Sequence, residues 1–352
     1  MANWYCSRED VKNAGQLFGD ARNRIIDRTI ESVSRQIDRQ TRRNFIPQTA
    51  TRLYRWPQPW SSASTKLWLR QDLLSVTTLQ TQAQNSSPTT ISSSDFFLEP
   101  QDLGAPYDRI EIDLSSTSAF ESGDTSQRSI SVNGSWGYSD DTRSVGTVTS
   151  GLASDATATS MVISDGAAID VGDTLLIESE QLFVSARSSA AEPNTDLLNG
   201  ALTASRSEEV IVDSGSRYTA GEVILVDSEQ MLIESISGNT LNVVRAYNGT
   251  TLATHSDDTG VHVFRTLTVE RGANGTTAAT HANSTAINKY EPEYAIKELA
   301  VAMTLAQLAQ ENSSWGRQVG SGDGAFEFSG RSFNTYVDNA MHQWMRPQEA
   351  AI

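Results

Sequence analysis

One cysteine, Cys6, stands in a chain of 352 residues. A single thiol excludes an internal disulfide and a cysteine metal cluster, and so close to a chain end it reads as a small apolar residue. Histidine is also scarce: His255, His262, His281 and His342 are all there is. Long apolar runs are missing. The richest, residues 295–309, contains Lys297 and Glu298 and is too short and polar to cross a bilayer. The first ten residues hold no signal-peptide core, so the expectation is synthesis and folding in a cytoplasm with no membrane contact. No Walker loop or dinucleotide fingerprint occurs. The glycine-rich stretch Gly320–Gly324 follows no predicted strand and opens no predicted helix, which leaves it as linker.

Positive charge is in deficit. The net charge is -16, and a duplex-binding protein normally presents a basic surface. The deficit is uneven. Residues 1–55 hold 11 Arg/Lys against 6 Asp/Glu, and the remainder carries -21. The basic segment either meets an acidic partner or is a solvated helix face; Arg24, Arg28, Arg35 and Arg39 are its candidate intersubunit residues. A hydrophobic content of 38% and a charged content of 20% exclude global disorder, and the length suits about two domains.

Residues 7–44 read as helix. Ser7 and Asp10 resemble a capping box, and Ile26, Ile30, Val33 and Ile37 share one face. Gly15 and Gly19 weaken the first part, so a break near Gly19 divides it. Between residues 48 and 144, short β-branched runs alternate with turn-formers and predict a β-rich module. A helix returns after Pro292, with Ile296, Leu299, Ala300 and Met303 on one face. Residues 316–332 read as a flexible linker. A last helix spans about 333–345, where Phe333, Tyr336, Val337, Ala340, Met341 and Trp344 form an apolar stripe. So short a helix must dock on its own body or on a partner.

Residues 145–290 contain internal repeats. Val171–Val184 returns at Ala220–Ile233, displaced by 49, with five of 14 positions identical. Arg245–His255 returns at Arg271–His281, displaced by 26, with eight of 11 identical. Two displacements in the order front, front, back, back imply nesting: an inner β unit of about 202–265 lies inside an outer one. Each Arg-x-x-Asn-Gly-Thr-Thr loop favours a tight turn, because Asn and Gly tolerate positive φ. The inner unit carries 4 Arg against 9 Asp/Glu, which suits a solvated module.

The ordered set Arg42–Arg52, Leu67–Leu69, Asp72–Val76, Asp95–Pro100, Pro106–Asp113 and Val132–Tyr138, with the Glu-Gln strand, the Asn-Gly loop and a terminal helical pair, resembles the head-to-tail connector (adaptor) proteins of long-tailed bacteriophages. The resemblance covers most of the chain except the inner repeat. It implies an α+β fold: a helical adaptor core from residues 1–47 and 291–352, a β-rich module at 48–144, and an inserted β domain at 145–290. It implies a virion protein at the head–tail junction, assembled as a homo-oligomeric ring, commonly of twelve subunits. The ring would bind the portal protein on one side and a stopper or tail-terminator protein on the other. Double-stranded DNA would pass through without specific binding, repelled by acidic residues along the channel. The C-terminal segment of the family typically reaches the portal, so Phe333, Tyr336, Val337, Met341 and Trp344 are candidates for a portal or intersubunit contact.

Catalysis has little to stand on. His255 and His281 occupy equivalent repeat positions and so have a structural explanation. No spacing supplies a nucleophile or converging carboxylates, and no catalytic, metal or cofactor site is expected. Asp140-Asp141 and Asp257-Asp258 lack calcium-loop spacing and read as solvated turns. Trp56, Trp60, Trp68 and Trp136 read as core, with a sugar-stacking platform as the other reading. The alternative function is a virion surface module whose β insert recognises a host glycan or another virion protein. A glycosidase would need two carboxylates across a cleft, and no pair can be picked.

Overall fold

The computed structural model describes residues 3–56, 65–153, 155–190, 196–206, 209–312, 318–319, 326–327 and 330–346. Among the described residues, four α-helices form from the chain ends. In α1 (Arg8–Gly15) the Ser7 hydroxyl accepts from the Asp10 N–H at 3.1 Å, and the Asp10 carboxylate accepts from the Ser7 N–H at 2.8 Å. This reciprocal pair satisfies two of the four donors that a helix start leaves open. Gln16 adopts φ 49° and stops α1; α2 (Asn23–Thr41) begins beyond Gly19 and ends where Arg42 turns to φ 57°. α3 (Tyr294–Asn312) and α4 (Gly330–Trp344) follow the sheets. Most of the expected 316–332 linker lies outside the described residues, as does Trp60; Gln318–Val319 and Phe326–Glu327 pair as a short ladder.

The expected α+β architecture with a helical core is overturned. Helices of 8, 19, 19 and 15 residues stand against antiparallel sheets of 11 and 6 strands, so the fold is mostly β. The physical reason lies in burial. The helices share one apolar cluster, with Ile26, Ile30 and Ile37 of α2 meeting Ile296 and Leu299 of α3, but helices alone do not close it. Phe183 and Tyr290 of the large sheet, with Val171 and Ala273 from turns beside it, complete the cluster, and Trp4 meets Phe183 edge-on at 5.3 Å. The three other apolar cores lie among strands.

The smaller sheet runs in the order Gln48–Tyr54, Ile130–Trp136, Lys66–Thr81, Tyr107–Ile112, Phe96–Glu99, with Thr89–Ile91 also on the long strand. Trp136 is buried at its centre and donates to the Ala50 carbonyl at 2.9 Å. Asn44 accepts from the Tyr138 N–H at 2.7 Å, which ties this sheet to the end of α2.

The larger sheet is two closed rings sharing a strand. In the first, Glu180–Ala190 pairs with Thr174–Ile177, then Ala286–Tyr290, Thr142–Ser150, Ser160–Ile163 and the later half of Gly260–Glu270, which returns to Glu180–Ala190. In the second, Glu229–Ser237 pairs with Val223–Val226, then the earlier half of Gly260–Glu270, Asp196–Leu197, the Leu198–Val212 bridge beside Val210–Ile211, and Thr240–Val244, which returns to Glu229–Ser237. The pairing order is the same in both. Leu175, Ile177, Leu182 and Val184 fill the first ring; their counterparts 49 residues on, Ile224, Val226, Met231 and Ile233, fill the second. Among the described residues, closure leaves neither ring an unpaired sheet edge.

Candidate functional site

The repeated motifs converge on a buried clasp in each ring. In the second ring Arg245 donates to both carboxylate oxygens of Glu229, at 2.7 and 2.8 Å, and neither side chain reaches solvent. The Glu229 carboxylate also accepts from the backbone N–H of Ala246 and Ala253. His255 lies between Glu229 at 3.0 Å and Asp227 at 2.7 Å. The first ring repeats this with Arg271 and Glu180 at 2.8 Å twice, Gly272 and Ala279 N–H, and His281 between Glu180 and Glu178. Burial by itself would raise the Glu180 and Glu229 pKa values. The arginine, the backbone donors and the histidine outweigh it and hold both at about 2. The clasps fasten the Asn-Gly loops. Asn248 accepts from the Gly19 N–H at 2.9 Å, and Asn274 donates to Asn3 at 2.8 Å, so both loops grip the N-terminal segment. At Gly275 (φ +80°) a Cβ would stand 2.1 Å from the Thr49 carbonyl oxygen, so the side chain must be hydrogen.

His255 and His281 thus have carboxylate partners inside their own loops and are buried. Among the described residues no three His, Cys, Asp or Glu side chains are grouped to hold a metal ion. Asp257 accepts from the Gly200 N–H in an exposed turn, and Asp141 accepts from the Ser139 hydroxyl in another.

The C-terminal stripe is divided. Val337 and Met341 are buried in the helical cluster, and Trp344 packs against Phe45 and Tyr138 at ring distances of 6.1 and 5.5 Å. Tyr336 is 49% exposed. Phe333 belongs to α4, and its side chain lies outside the described residues. The basic face of α2 is divided too. Arg28 pairs with Glu311 of α3 at 3.1 Å, and Arg35 holds the Asn3 carbonyl and Asp38; Arg24 and Arg39 are exposed.

Two adjoining clefts of about 260 and 620 Å³ open where α2 ends. Arg39, Arg42, Arg43, Arg70 and Arg346 line them, against Asp38, Asp72 and Asp108. Asp72 is the anchor: Arg43 approaches it at 3.1 Å and Arg346 at 3.6 Å. Burial raises its pKa, and the two arginines act against that rise. Arg346 also donates to the Leu69 carbonyl at 2.9 Å. Trp68, 47% exposed, forms part of the rim with Arg109 5.1 Å from its ring centroid. Sequence reasoning missed this groove. Its arginines come from α2, the long strand and the segment after α4, and only the adjacent Arg42 and Arg43 give a local signal.

A third cleft, of about 470 Å³, lies between α1 and the two rings. Its charges are matched: Arg8 grips Asp27 at 2.7 and 2.6 Å, and Arg187 meets Asp170 at 3.1 Å. Comparison of the chain with family models, curated proteins and solved structures returns no match.

Proposed function

We propose that the chain is a structural adaptor of a bacteriophage neck. Copies assemble into a ring between capsid portal and tail, DNA passes through, and no step is catalytic. The observation that carries this reading is the meeting of the two chain ends. α1 and α2 pack against α3 and α4 in one apolar layer, and both sheets are attached to that layer. A helical layer that joins both chain ends and carries both sheets suits a connector that must transmit force between head and tail. The negative net charge agrees with a lumen that DNA traverses without adhering.

The test is localisation and loss. Antibody labelling should mark the head–tail junction of the virion, and particles made without the protein should accumulate as separate heads and tails. Label on the capsid surface or the tail tip overturns the reading.

A second reading rests on the second ring, which has its own filled interior and hangs from a hairpin of the first. Such a module suits recognition of a host glycan or another virion protein. Removing it should then lower adsorption, whereas a pure adaptor would adsorb as before.

A further inference from the structure

The charges of this chain are segregated along α2. The second ring holds the loop that leads into the N-terminal end of that helix, through the Asn248–Gly19 contacts. The arginine groove begins at its C-terminal end with Arg39, Arg42 and Arg43. Nineteen helical residues span about 28 Å, so the two regions stand at opposite ends of a rigid rod. The ring is acidic on its outside: Arg245 is buried on Glu229 and Arg265 on Glu222, while Glu209, Asp213, Asp227, Glu234, Asp257 and Asp258 are exposed against Arg206 and Arg217. Glu209 leads into the strand paired with Thr240–Val244, and Glu234 lies on that strand's other neighbour, so both border the same stretch of sheet. The groove is the reverse, with five arginines against three aspartates in a chain of net charge -16.

From this we infer that the arginine groove receives the acidic outer face of the second ring of another copy of this chain. One end of a subunit engages the other end of the next, so the contact is heterologous. Such a contact repeats until rotation closes it into a ring or, without closure, extends a filament. Nucleic acid is the less favoured occupant, because Asp38, Asp72 and Asp108 stand among the arginines and would repel a phosphate chain. Closure into a neck ring rests on the adaptor reading; the contact itself does not.

The experiment is a charge swap, read by sedimentation of the full chain. One variant carries Arg39→Glu and Arg70→Glu; the other carries Glu209→Lys and Glu234→Lys. All four side chains are exposed, and circular dichroism should show both variants folded. Wild type is expected to associate at low salt and to dissociate as screening shortens from about 10 Å at 0.1 M to about 3 Å at 1 M. Each variant alone should sediment as a monomer, because the substituted patch then repels the patch it met in the wild type. An equimolar mixture should regain the wild-type sedimentation, because each reversed face finds its complement on the other variant. Three results overturn the inference: a wild type that stays monomeric at the highest attainable concentration in low salt, either variant associating like wild type, or a mixture that fails to recover. If the mixture recovers but the protein is absent from virion necks, the adaptor reading fails and this contact stands.

Discussion

The clasp residues carry most of the electrostatic risk in the molecule. Arg245 and Glu229 are fully buried and satisfy each other, so removing one partner leaves an uncompensated charge in the interior. Arg245→Ala is expected to cost about 3–5 kcal/mol in urea unfolding. The double replacement Arg245→Met with Glu229→Met should recover only part of that loss: no buried charge is then left over, but the Ala246 and Ala253 N–H groups lose their acceptor. Acid sensitivity follows from the same groups. Glu180 and Glu229 titrate near 2 in the fold, against 4.5 for an ordinary glutamate. The unfolded chain therefore binds protons first. The stabilisation is complete above about pH 4.5 and is lost as pH falls toward 2. Each carboxylate contributes about 3 kcal/mol. Unfolding midpoints measured between pH 6 and pH 2.5 should show this fall, and Glu180→Gln with Glu229→Gln should flatten it from a lower starting value.

At the scale of elements, the second ring is an insertion at a hairpin tip. Ser188 pairs with Thr266 and Ala190 with Val263, so the strands that lead into and out of it already lie side by side. Removing residues 190–263 and joining Ser189 to Phe264 through Asn-Gly should restore a plain hairpin and leave the first ring folded. Circular dichroism and a thermal melt of the shortened chain check this; an unfolded product would mean that the ring is needed for the fold. α4 separates packing from contact in the same way. Trp344→Ala should cost about 2–4 kcal/mol by removing its edge contacts with Phe45 and Tyr138. Tyr336→Ala should leave stability unchanged, because that ring is half exposed. A loss of head–tail joining in Tyr336→Ala would therefore report a partner contact rather than a damaged helix.

For the whole molecule, four apolar cores imply more than one cooperative unit. Calorimetry should show a broadened or split transition, and the chain without its second ring should lose one component. Much of the local organisation was legible in the sequence: the capping box at Ser7, the helical stripe from Ile26 to Ile37, and the two repeat displacements that align Glu180 with Glu229 and His281 with His255. The fold class was misread, because clear periodicity at the chain ends drew weight to helices. Most of the strands that outnumber them are short, although Lys66–Thr81 runs to 16 residues and Gly260–Glu270 alternates regularly. The clasp was half legible: both Arg-to-His loops stood out as repeats, yet nothing local joined Arg271 to a glutamate 91 residues earlier.

The sequence by itself determined the net charge and its uneven distribution, the duplicated motifs, and the boundaries of the strongest helices, because these depend on residue identity and near-neighbour spacing. Tertiary structure alone decided that each repeat closes into a ring, that His255, His281, Arg245 and Arg271 are consumed inside the two clasps, and that arginines from three distant segments border one groove. Those outcomes depend on long-range strand pairing and on burial that no single segment satisfies, and so they exist only once the whole chain has closed upon itself.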